Sequence, residues 1–190
     1  KSINEKFRAG LTNTISYKGL SLSATLDLRY GGYIYSYQKD YMGWTGSGPE
    51  TVYNDRNPFV IPNSVVEIVE NGVVTGYDEN THPVLTQDLH EFYSDGGFER
   101  ADNFIIDRSY LKLREVKLGY TFPSSLASKL KVASLKASLV AGNILLWTPV
   151  ENPYIDPETT TFGNDISAKF GEFGGGPTSQ LYTVGLSVTF

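Results

Sequence analysis

The sequence predicts an all-β fold, an antiparallel up-and-down β-barrel of the kind that spans a membrane. Three observations predict it. Five segments alternate apolar and polar residues with a period of two, at about 5–17, 20–30, 108–122, 134–147 and 180–190. Their connections are alternately short and long, and aromatic residues recur near the segment ends.

The first two segments form the clearest hairpin. Between Leu20 and Tyr30, every even position is apolar and every odd position is polar. Only Lys18 and Gly19 separate this segment from the preceding one, so the two must be antiparallel neighbours. The first segment presents a similar apolar face from Phe7 to Tyr17, interrupted only by Asn13.

The remaining three segments carry the same pattern with one irregularity. The third changes parity near Glu115, which predicts a β-bulge, and it ends at Pro123. The fifth alternates up to Phe190, the last residue. Because an open strand edge cannot lie in lipid, we expect the partner strands of these five to belong to the rest of a longer precursor or to another chain.

The two long connections, about 31–107 and 148–178, are expected to be extracellular loops. Structureless loops of this length are unusual in compact soluble domains, whereas the outer loops of membrane barrels are long. Within the first, Asn71-Gly72 predicts a small hairpin, Gly96-Gly97 predicts a turn, and Thr86 is expected to cap a short helix that reaches Tyr93.

Aromatic residues near the strand ends predict a membrane girdle. Phe7 and Tyr17 are ten residues apart, as are Tyr110 and Tyr120. Ten strand residues rise roughly 33 Å, which at a tilt of about 45° spans roughly 23 Å of bilayer. The alternative is that aromatic residues simply favour strands. The predicted girdle consists of Phe7, Tyr17, Tyr30, Tyr110, Tyr120, Phe122, Trp147, Tyr182 and Phe190.

Composition excludes several classes of protein. The net charge of −5 argues against a nucleic-acid partner, and the absence of cysteine excludes disulfides and thiolate metal sites. No run of eighteen apolar residues exists, so a transmembrane helix is excluded. The 40% hydrophobic and 13% aromatic content suits a barrel but also a soluble β-sandwich, so composition alone does not decide.

Several motifs resemble the SusC/RagA family of TonB-dependent transporters. The stretch from Ser109 to Pro123, SYLKLREVKLGYTFP, is similar to a motif near the C-terminus of that family. Five further stretches resemble its neighbouring strands and loops in the same order: 11–19, 27–32, 141–148, 154–158 and 182–190. Ile144 departs from the family, which more often carries leucine there.

The resemblance implies a specific function and specific partners. It implies a barrel of about 22 strands with a plugged lumen, of which these five would be the last. It implies TonB-driven import of oligosaccharides or peptides through the outer membrane of a Gram-negative bacterium, with a SusD-like surface lipoprotein covering the barrel. The family's plug domain, N-terminal strands and TonB-contacting segment have no counterpart in these 190 residues.

No catalytic motif is recognisable, and we expect no enzymatic activity and no cofactor. The two histidines, His82 and His90, fit neither a zinc motif nor a catalytic triad. Carboxylates at Asp78-Glu79 and 156–158 could bind calcium, although they lack the spacing of a calcium loop.

An aromatic run after the second strand is the candidate contact surface for a substrate or for the lipoprotein. It consists of Tyr33, Tyr35, Tyr37, Tyr41 and Trp44. Alternation at 33, 35 and 37 could extend the strand and place three rings on one face. The same rings could instead pack the loop onto the barrel mouth. Two other functions remain open: a soluble extracellular β-domain that binds carbohydrate through this run, and a barrel enzyme whose site lies elsewhere.

Overall fold

The computed structural model describes residues 1–94, 101–159, 161–163 and 165–190. Three α-helices are present in this part of the chain, α1 (Tyr37–Trp44), α2 (Leu89–Ser94) and α3 (Ser124–Lys129), and short 3-10 helices lie at Pro49–Arg56, Thr86–Asp88, Ala101–Phe104 and Ile166–Lys169. The strands in chain order are β1 (Phe7–Tyr17), β2 (Leu20–Tyr30), β3 (Tyr33–Ser36), β4 (Phe59–Val60), β5 (Val65–Glu70), β6 (Val73–Glu79), β7 (Pro83–Val84), β8 (Ile105–Asp107), β9 (Tyr110–Thr121), β10 (Ser134–Trp147), β11 (Gly171–Glu172) and β12 (Leu181–Thr189).

The main sheet confirms the five predicted strands and the all-β class. Its order is β1-β2-β9-β10-β12, and every neighbouring pair is antiparallel. Each of the five predicted strands therefore pairs with the next one along the chain. The predicted boundaries agree with the observed strands to within two residues at each end.

The β1–β2 turn has the geometry that its two residues favour. Tyr17 pairs with Leu20, and Lys18 and Gly19 both have positive φ angles, of 46° and 86°. Two consecutive left-handed residues are the signature of a type I′ hairpin turn, whose twist matches that of the strands. The predicted tight turn is confirmed.

The β-bulge predicted near Glu115 is also confirmed. Thr25 and Leu26 are adjacent on β2, but they pair with Glu115 and Leu113 on β9, so Arg114 is the extra residue. A bulge reverses the side-chain parity of the residues before it relative to those after it.

The bulge corrects the predicted position of Tyr110. Tyr120 is level with Leu20 on the apolar face, whereas Tyr110 is level with Arg29 on the polar face and is only 2% exposed. The predicted place of Tyr110 in the aromatic girdle is therefore wrong, because ten residues of strand preserve a face only when no bulge intervenes.

The apolar face of the main sheet is widely exposed. Ile15, Leu186 and Val184 have exposed fractions of 67%, 69% and 82%. Leu22, at the middle of β2, is still 45% exposed. Among the described residues, no helix is long and apolar enough to span a bilayer.

The chain divides into two compact units. The first comprises Lys1–Tyr35 and Ile105–Phe190, and the second comprises Ser36–Phe104. In the first unit, a small sheet of order β11-β3-β8 accompanies the main sheet, and it buries Ile34 opposite Ile106, each 2% exposed.

The second unit shows that much of the first predicted loop is folded. The predicted hairpin is confirmed as β5–β6, with positive φ at Asn71 and Gly72. The predicted short helix that reaches Tyr93 is confirmed as the 3-10 turn Thr86–Asp88 followed by α2. The predicted cap is wrong, because Thr86 is itself the first helical residue and its hydroxyl donates to the Arg56 carbonyl at 3.0 Å. The predicted Gly96-Gly97 turn lies outside the described residues.

Candidate functional site

The polar face of the main sheet carries a group of charged side chains near the start of β9. We call it the ionic cluster. It joins strand residues to the segment that follows β10, and its members are Arg8, Asp27, Tyr110, Lys112, Arg114, Asp156 and Glu158.

The strand pairing explains why these side chains meet. Asp27 on β2 is level with Lys112 on β9, and its neighbour Arg29 is level with both Arg8 and Tyr110. Residues that are level on adjacent strands project to the same face. The polar positions of three strands are thus brought to one side of the sheet.

Lys112 is the buried centre of the cluster. It is 2% exposed, and its Nζ lies 2.6 Å from Asp156 Oδ2 and 2.6 Å from Glu158 Oε2. A buried ammonium group requires such partners, since an unpaired charge in a low-dielectric interior is very costly. Lys112 therefore holds the segment around residue 157 against the polar face of β9.

Arg114 and Tyr110 extend the network between the sheet and the same segment. Arg114 Nε donates to Asp27 Oδ2 at 3.0 Å, and its Nη2 bridges Asp27 and Glu158. The Tyr110 hydroxyl lies 2.9 Å from Glu158 Oε1. Arg8 Nη2 donates to the same hydroxyl at 3.3 Å. Each carboxylate is thus shared between two or more donors, as charge-assisted networks usually are.

The segment that enters the cluster is itself braced. Asn152 is 1% exposed, and its side-chain oxygen accepts from the Ile155 amide at 3.3 Å. Asp156 Oδ1 accepts from the Glu158 amide at 3.1 Å, and Thr178 donates to Asp156 Oδ2. These bonds hold both carboxylates in position to receive the strand cations.

Electrostatics within the cluster keep Glu158 ionised. Burial alone would raise its pKa, but hydrogen bonds from Arg114, Lys112 and Tyr110 outweigh burial and lower the pKa of Glu158 to about 2. The carboxylate therefore stays charged across the physiological range.

Two of the proposed calcium ligands, Asp156 and Glu158, are otherwise engaged, whereas a calcium site at Asp78-Glu79 stays a prediction. Asp156 and Glu158 accept hydrogen bonds from Lys112, which competes with any metal ion for the same oxygens. Among the described residues, no group of three or more potential ligands lies close enough together to hold a metal ion.

The predicted aromatic run is divided between the two units. Tyr33 and Tyr35 lie on β3 in the first unit, where Tyr35 stacks on Phe173 with ring centroids 5.8 Å apart and Lys1 lies over Tyr33. Tyr37 does not continue the strand face, because the Ser36 side chain accepts from the Lys39 amide and begins α1.

The other three rings form one surface on α1. Tyr37, Tyr41 and Trp44 follow helical spacing, and successive ring centroids are 6.1 and 5.8 Å apart with interplanar angles of 23°. They are 42%, 48% and 49% exposed. We call these three residues the aromatic stripe.

The other predicted girdle residues occupy several positions on the main sheet. Phe7 pairs with Tyr30, Trp147 pairs with Leu111, and Tyr120 packs edge-on against Phe122 at 4.9 Å. Tyr182 is level with Ala141 in β10. The exposed fractions of Tyr17, Tyr182 and Phe190 are 68%, 69% and 94%. Their role as a membrane girdle stays a prediction.

Sequence reasoning missed the ionic cluster. Its signal was present as charged residues at strict polar positions, Asp27 on one strand and Lys112 with Arg114 on the next. Pairing these strands in register would have predicted the sheet half of the cluster. The partner carboxylates, Asp156 and Glu158, were noted only as possible calcium ligands.

Together, these features define a class of protein. An antiparallel sheet of sequential strands, with one exposed apolar face and one charged face, is typical of a membrane β-barrel wall. The charged face here holds the segment that follows β10 against the sheet.

Comparison with known proteins identifies the relatives. The chain is 26% identical over 187 residues to TonB-dependent receptor P26 of Formosa agariphila, an alignment that covers 95% of this chain and 16% of that protein. No family model matches the chain. The chain thus spans only about a sixth of this relative's length.

Solved structures agree on the fold. The RagAB peptide importer in its "closed-closed" state matches 100% of this chain and 18% of its own, with a TM-score of 0.61 and 20% identity. In its "open-open" state the TM-score is 0.59, again at 20% identity with the same coverage. The RagAB peptide transporter matches 95% of this chain and 17% of its own, with a TM-score of 0.57 and 21% identity. The resemblance to SusC/RagA-type TonB-dependent transporters predicted from the motifs is confirmed.

Proposed function

We propose that this chain is the C-terminal part of a TonB-dependent importer in the outer membrane of a Gram-negative bacterium. Its main sheet would supply the last five strands of a barrel of about 22 strands. Partner strands would close the barrel, and the plug domain would lie in the N-terminal part of the same protein.

The observation that carries this proposal is the exposed apolar face of the main sheet. Val184 and Leu186 are 82% and 69% exposed on β12, and Ile15 is 67% exposed on β1. Soluble proteins rarely expose contiguous apolar surface on this scale, whereas a barrel wall turns such a face toward lipid. This observation disfavours the alternative of a soluble carbohydrate-binding β-domain.

The cargo would be oligosaccharides or peptides, and a SusD-like lipoprotein would cover the outer opening. Support comes from the similarity to a TonB-dependent receptor and to the fold of a peptide importer. The aromatic stripe would provide a contact surface for the cargo or the lipoprotein, since flat, amphipathic rings offer contact area at a low entropy cost. Tyr33 and Tyr35 are less suited to this role because both are partly buried.

Uptake by living cells tests the proposal. A strain that lacks the whole transporter should lose growth on either mixed peptides or mixed oligosaccharides, and the wild-type gene should restore it. Restored uptake should stop when a protonophore collapses the energy supply to TonB. Purification of the full protein as a soluble monomer without detergent would contradict the proposal.

The aromatic stripe is tested in the same cells. Replacing Tyr37, Tyr41 and Trp44 with alanine should reduce uptake or lipoprotein binding at least several-fold, with an unchanged amount of protein in the membrane. Tyr77→Ala is the matched control, since Tyr77 is 62% exposed on β6 and lies outside the stripe. Unchanged uptake and lipoprotein binding in the triple variant would leave the rings with a packing role only.

A further inference from the structure

Two arginines line a cleft beside the ionic cluster. Arg29 is near the end of β2, and Arg108 lies two residues before the start of β9. The cleft has a volume of about 260 Å³, and Lys169 and Glu158 contribute to its lining. We call it the arginine cleft.

Arg29 is buried without hydrogen-bond partners for much of its guanidinium group. It is 8% exposed, and neither its Nε nor its Nη1 makes a hydrogen bond in the structure described. Its Cζ lies 5.4 Å from the centroid of the Tyr110 ring, so the ring offers a cation–π contact but no acceptor in the guanidinium plane. Buried donors are nearly always paired, and an orphaned charged donor indicates a missing acceptor.

Arg108 repeats the pattern. Its Nε is also buried without a hydrogen-bond partner, and its Nη2 reaches only the Pro157 carbonyl at 3.5 Å. Burial lowers the pKa of Arg108, and the nearby charge of Arg29 lowers it further. Arginine keeps its proton despite this lowered pKa, so the arginine cleft holds two positive charges that are poorly hydrated.

The carboxylates at the cleft compensate only part of this charge. Three cations line it (Arg29, Arg108 and Lys169), together with Glu158 and Asp165, and the charge of Glu5 also acts on Arg108. Glu158 is already shared by Lys112, Arg114 and Tyr110. The guanidinium groups therefore retain donors for an acceptor that comes from outside the described residues.

We propose that the arginine cleft binds an oxyanion, a carboxylate or sulfate group, through the free donors of Arg29 and Arg108. A guanidinium group can donate two parallel hydrogen bonds to a pair of oxygens on a carboxylate or a sulfate, which water cannot accept in the same way. If the chain serves an importer as proposed above, the natural source of the group is the cargo: a peptide carboxylate or the acidic group of an oligosaccharide. That assignment rests on the proposed function, but oxyanion binding does not.

Titration with sulfate tests the binding site. The full-length protein in neutral detergent should gain thermal stability saturably when sulfate replaces chloride at constant ionic strength, and acetate should act in the same direction. Arg29→Gln should weaken the apparent sulfate affinity at least tenfold, and Arg108→Gln provides a second variant if the first does not fold. Lys117→Gln, on the polar side of β9 and exposed, is the control and should bind sulfate like the wild type.

Two results would overturn the site. If sulfate and chloride stabilise the wild type equally, the orphaned donors are satisfied by water or by an acidic side chain from the rest of the protein. If Arg29→Gln and Arg108→Gln respond to sulfate as the wild type does, the ion binds elsewhere. Selenate soaked into crystals should give an anomalous peak between the two guanidinium groups, and a peak elsewhere would also refute the assignment.

Uptake assays distinguish cargo from a free ion. Cells with the wild-type transporter should prefer peptides with free carboxylates over the same peptides fully amidated, and Arg29→Gln should abolish that preference while Lys117→Gln keeps it. An absence of preference in the wild type, with sulfate binding intact, would make the site one for free oxyanions. Failure to import any peptide or oligosaccharide would count against the proposed function, whereas the sulfate titration would still report on the cleft.

Discussion

Lys112 is nearly fully buried, and its ammonium group holds two carboxylates of the segment that follows β10. The two acceptors, Asp156 and Glu158, are separated from it by 44 and 46 residues along the chain. Truncating one partner of a buried ion pair destabilises the fold far more than replacing both partners with apolar residues, because the remaining charge is left buried without an opposite charge.

Lys112→Ala should therefore release this segment from the sheet. The expected cost is about 3 to 5 kcal/mol for the anchored state. Limited proteolysis of the full protein should show faster cleavage between about residues 149 and 159, which the bonds to Asp156 and Glu158 protect in the wild type. The control is Lys117→Ala, which removes an exposed lysine from the same strand. Equal cleavage rates in both variants would contradict the anchoring role.

The lowered pKa of Glu158 predicts a specific acid sensitivity. A carboxyl group whose folded pKa is depressed to about 2 adds stability that is fully present above its unfolded pKa of 4.5 and is lost as the pH falls toward 2. Burial opposes this shift, and hydrogen bonds from Arg114, Lys112 and Tyr110 cause it.

The difference in melting temperature between the wild type and Glu158→Gln isolates this contribution. It should be constant from pH 7 to about 5 and should shrink between pH 4.5 and pH 2, because protonated glutamic acid resembles glutamine. A difference that does not change over this range would show that Glu158 is not the group being titrated.

At the scale of elements, the β1–β2 turn depends on a glycine. Gly19 has a φ angle of 86°, and a Cβ atom there would lie 2.6 Å from the Thr121 carbonyl oxygen. The Thr121 amide donates to the Gly19 carbonyl at 2.8 Å, which holds the two backbones close together. Both the backbone conformation of Gly19 and the close approach of β9 exclude a side chain at this position.

The left-handed conformation alone costs an alanine about 1 kcal/mol or slightly more. Gly19→Ala should destabilise the hairpin by more than this cost. The control is Gly72→Ala in the β5–β6 turn, where φ is 79° but nothing lies within 4 Å of the added carbon. Folded yield, read from heat-modifiable migration on gels, should fall clearly for Gly19→Ala and little for Gly72→Ala. Similar losses for the two variants would mean that contact with Thr121 is unimportant.

The bulge in β9 is the element that most changes the chemistry of the sheet. If β9 ran through Arg114 as a regular strand, all even-numbered positions from Tyr110 to Tyr120 would share one face. Tyr110 and Lys112 would then face the apolar side with Tyr120. The ionic cluster exists because the bulge takes up Arg114 and so keeps these two side chains on the polar face.

At the scale of the whole molecule, the exposed apolar face distinguishes a membrane wall from a soluble domain. Val184 is 82% exposed at the middle of β12. If this position meets lipid near the bilayer midplane, Val184→Arg should destabilise the folded protein by about 2 to 4 kcal/mol. If the position meets water, the change should be neutral and should improve solubility.

Folding of the full-length protein into lipid vesicles measures this difference. Thr183→Arg, on the opposite face of the same strand, is the control, and it should cost much less because that face is polar. A larger cost for Thr183→Arg than for Val184→Arg would reverse the assignment of the two faces.

The five strands, the two-residue turn and the bulge can be predicted from the amino-acid sequence, because each depends on neighbours within a few residues. Alternation reports which face is apolar, and left-handed positions require residues such as Gly19. Local alternation does not place Tyr37, because the Ser36 side chain caps α1 and ends the strand. It does not place Tyr110 either, because the bulge changes which face a given residue number occupies.

Which polar residues meet follows from the folded chain and not from local sequence. Arg114 and Asp27 are 87 residues apart, and Lys112 and Asp156 are 44 residues apart. Alternation shows that such a residue is polar. It does not show which distant residue is its partner, because the pattern depends only on near neighbours in the chain. The ionic cluster and the arginine cleft follow from strand register and from the path of the segment after β10, which only the folded chain defines.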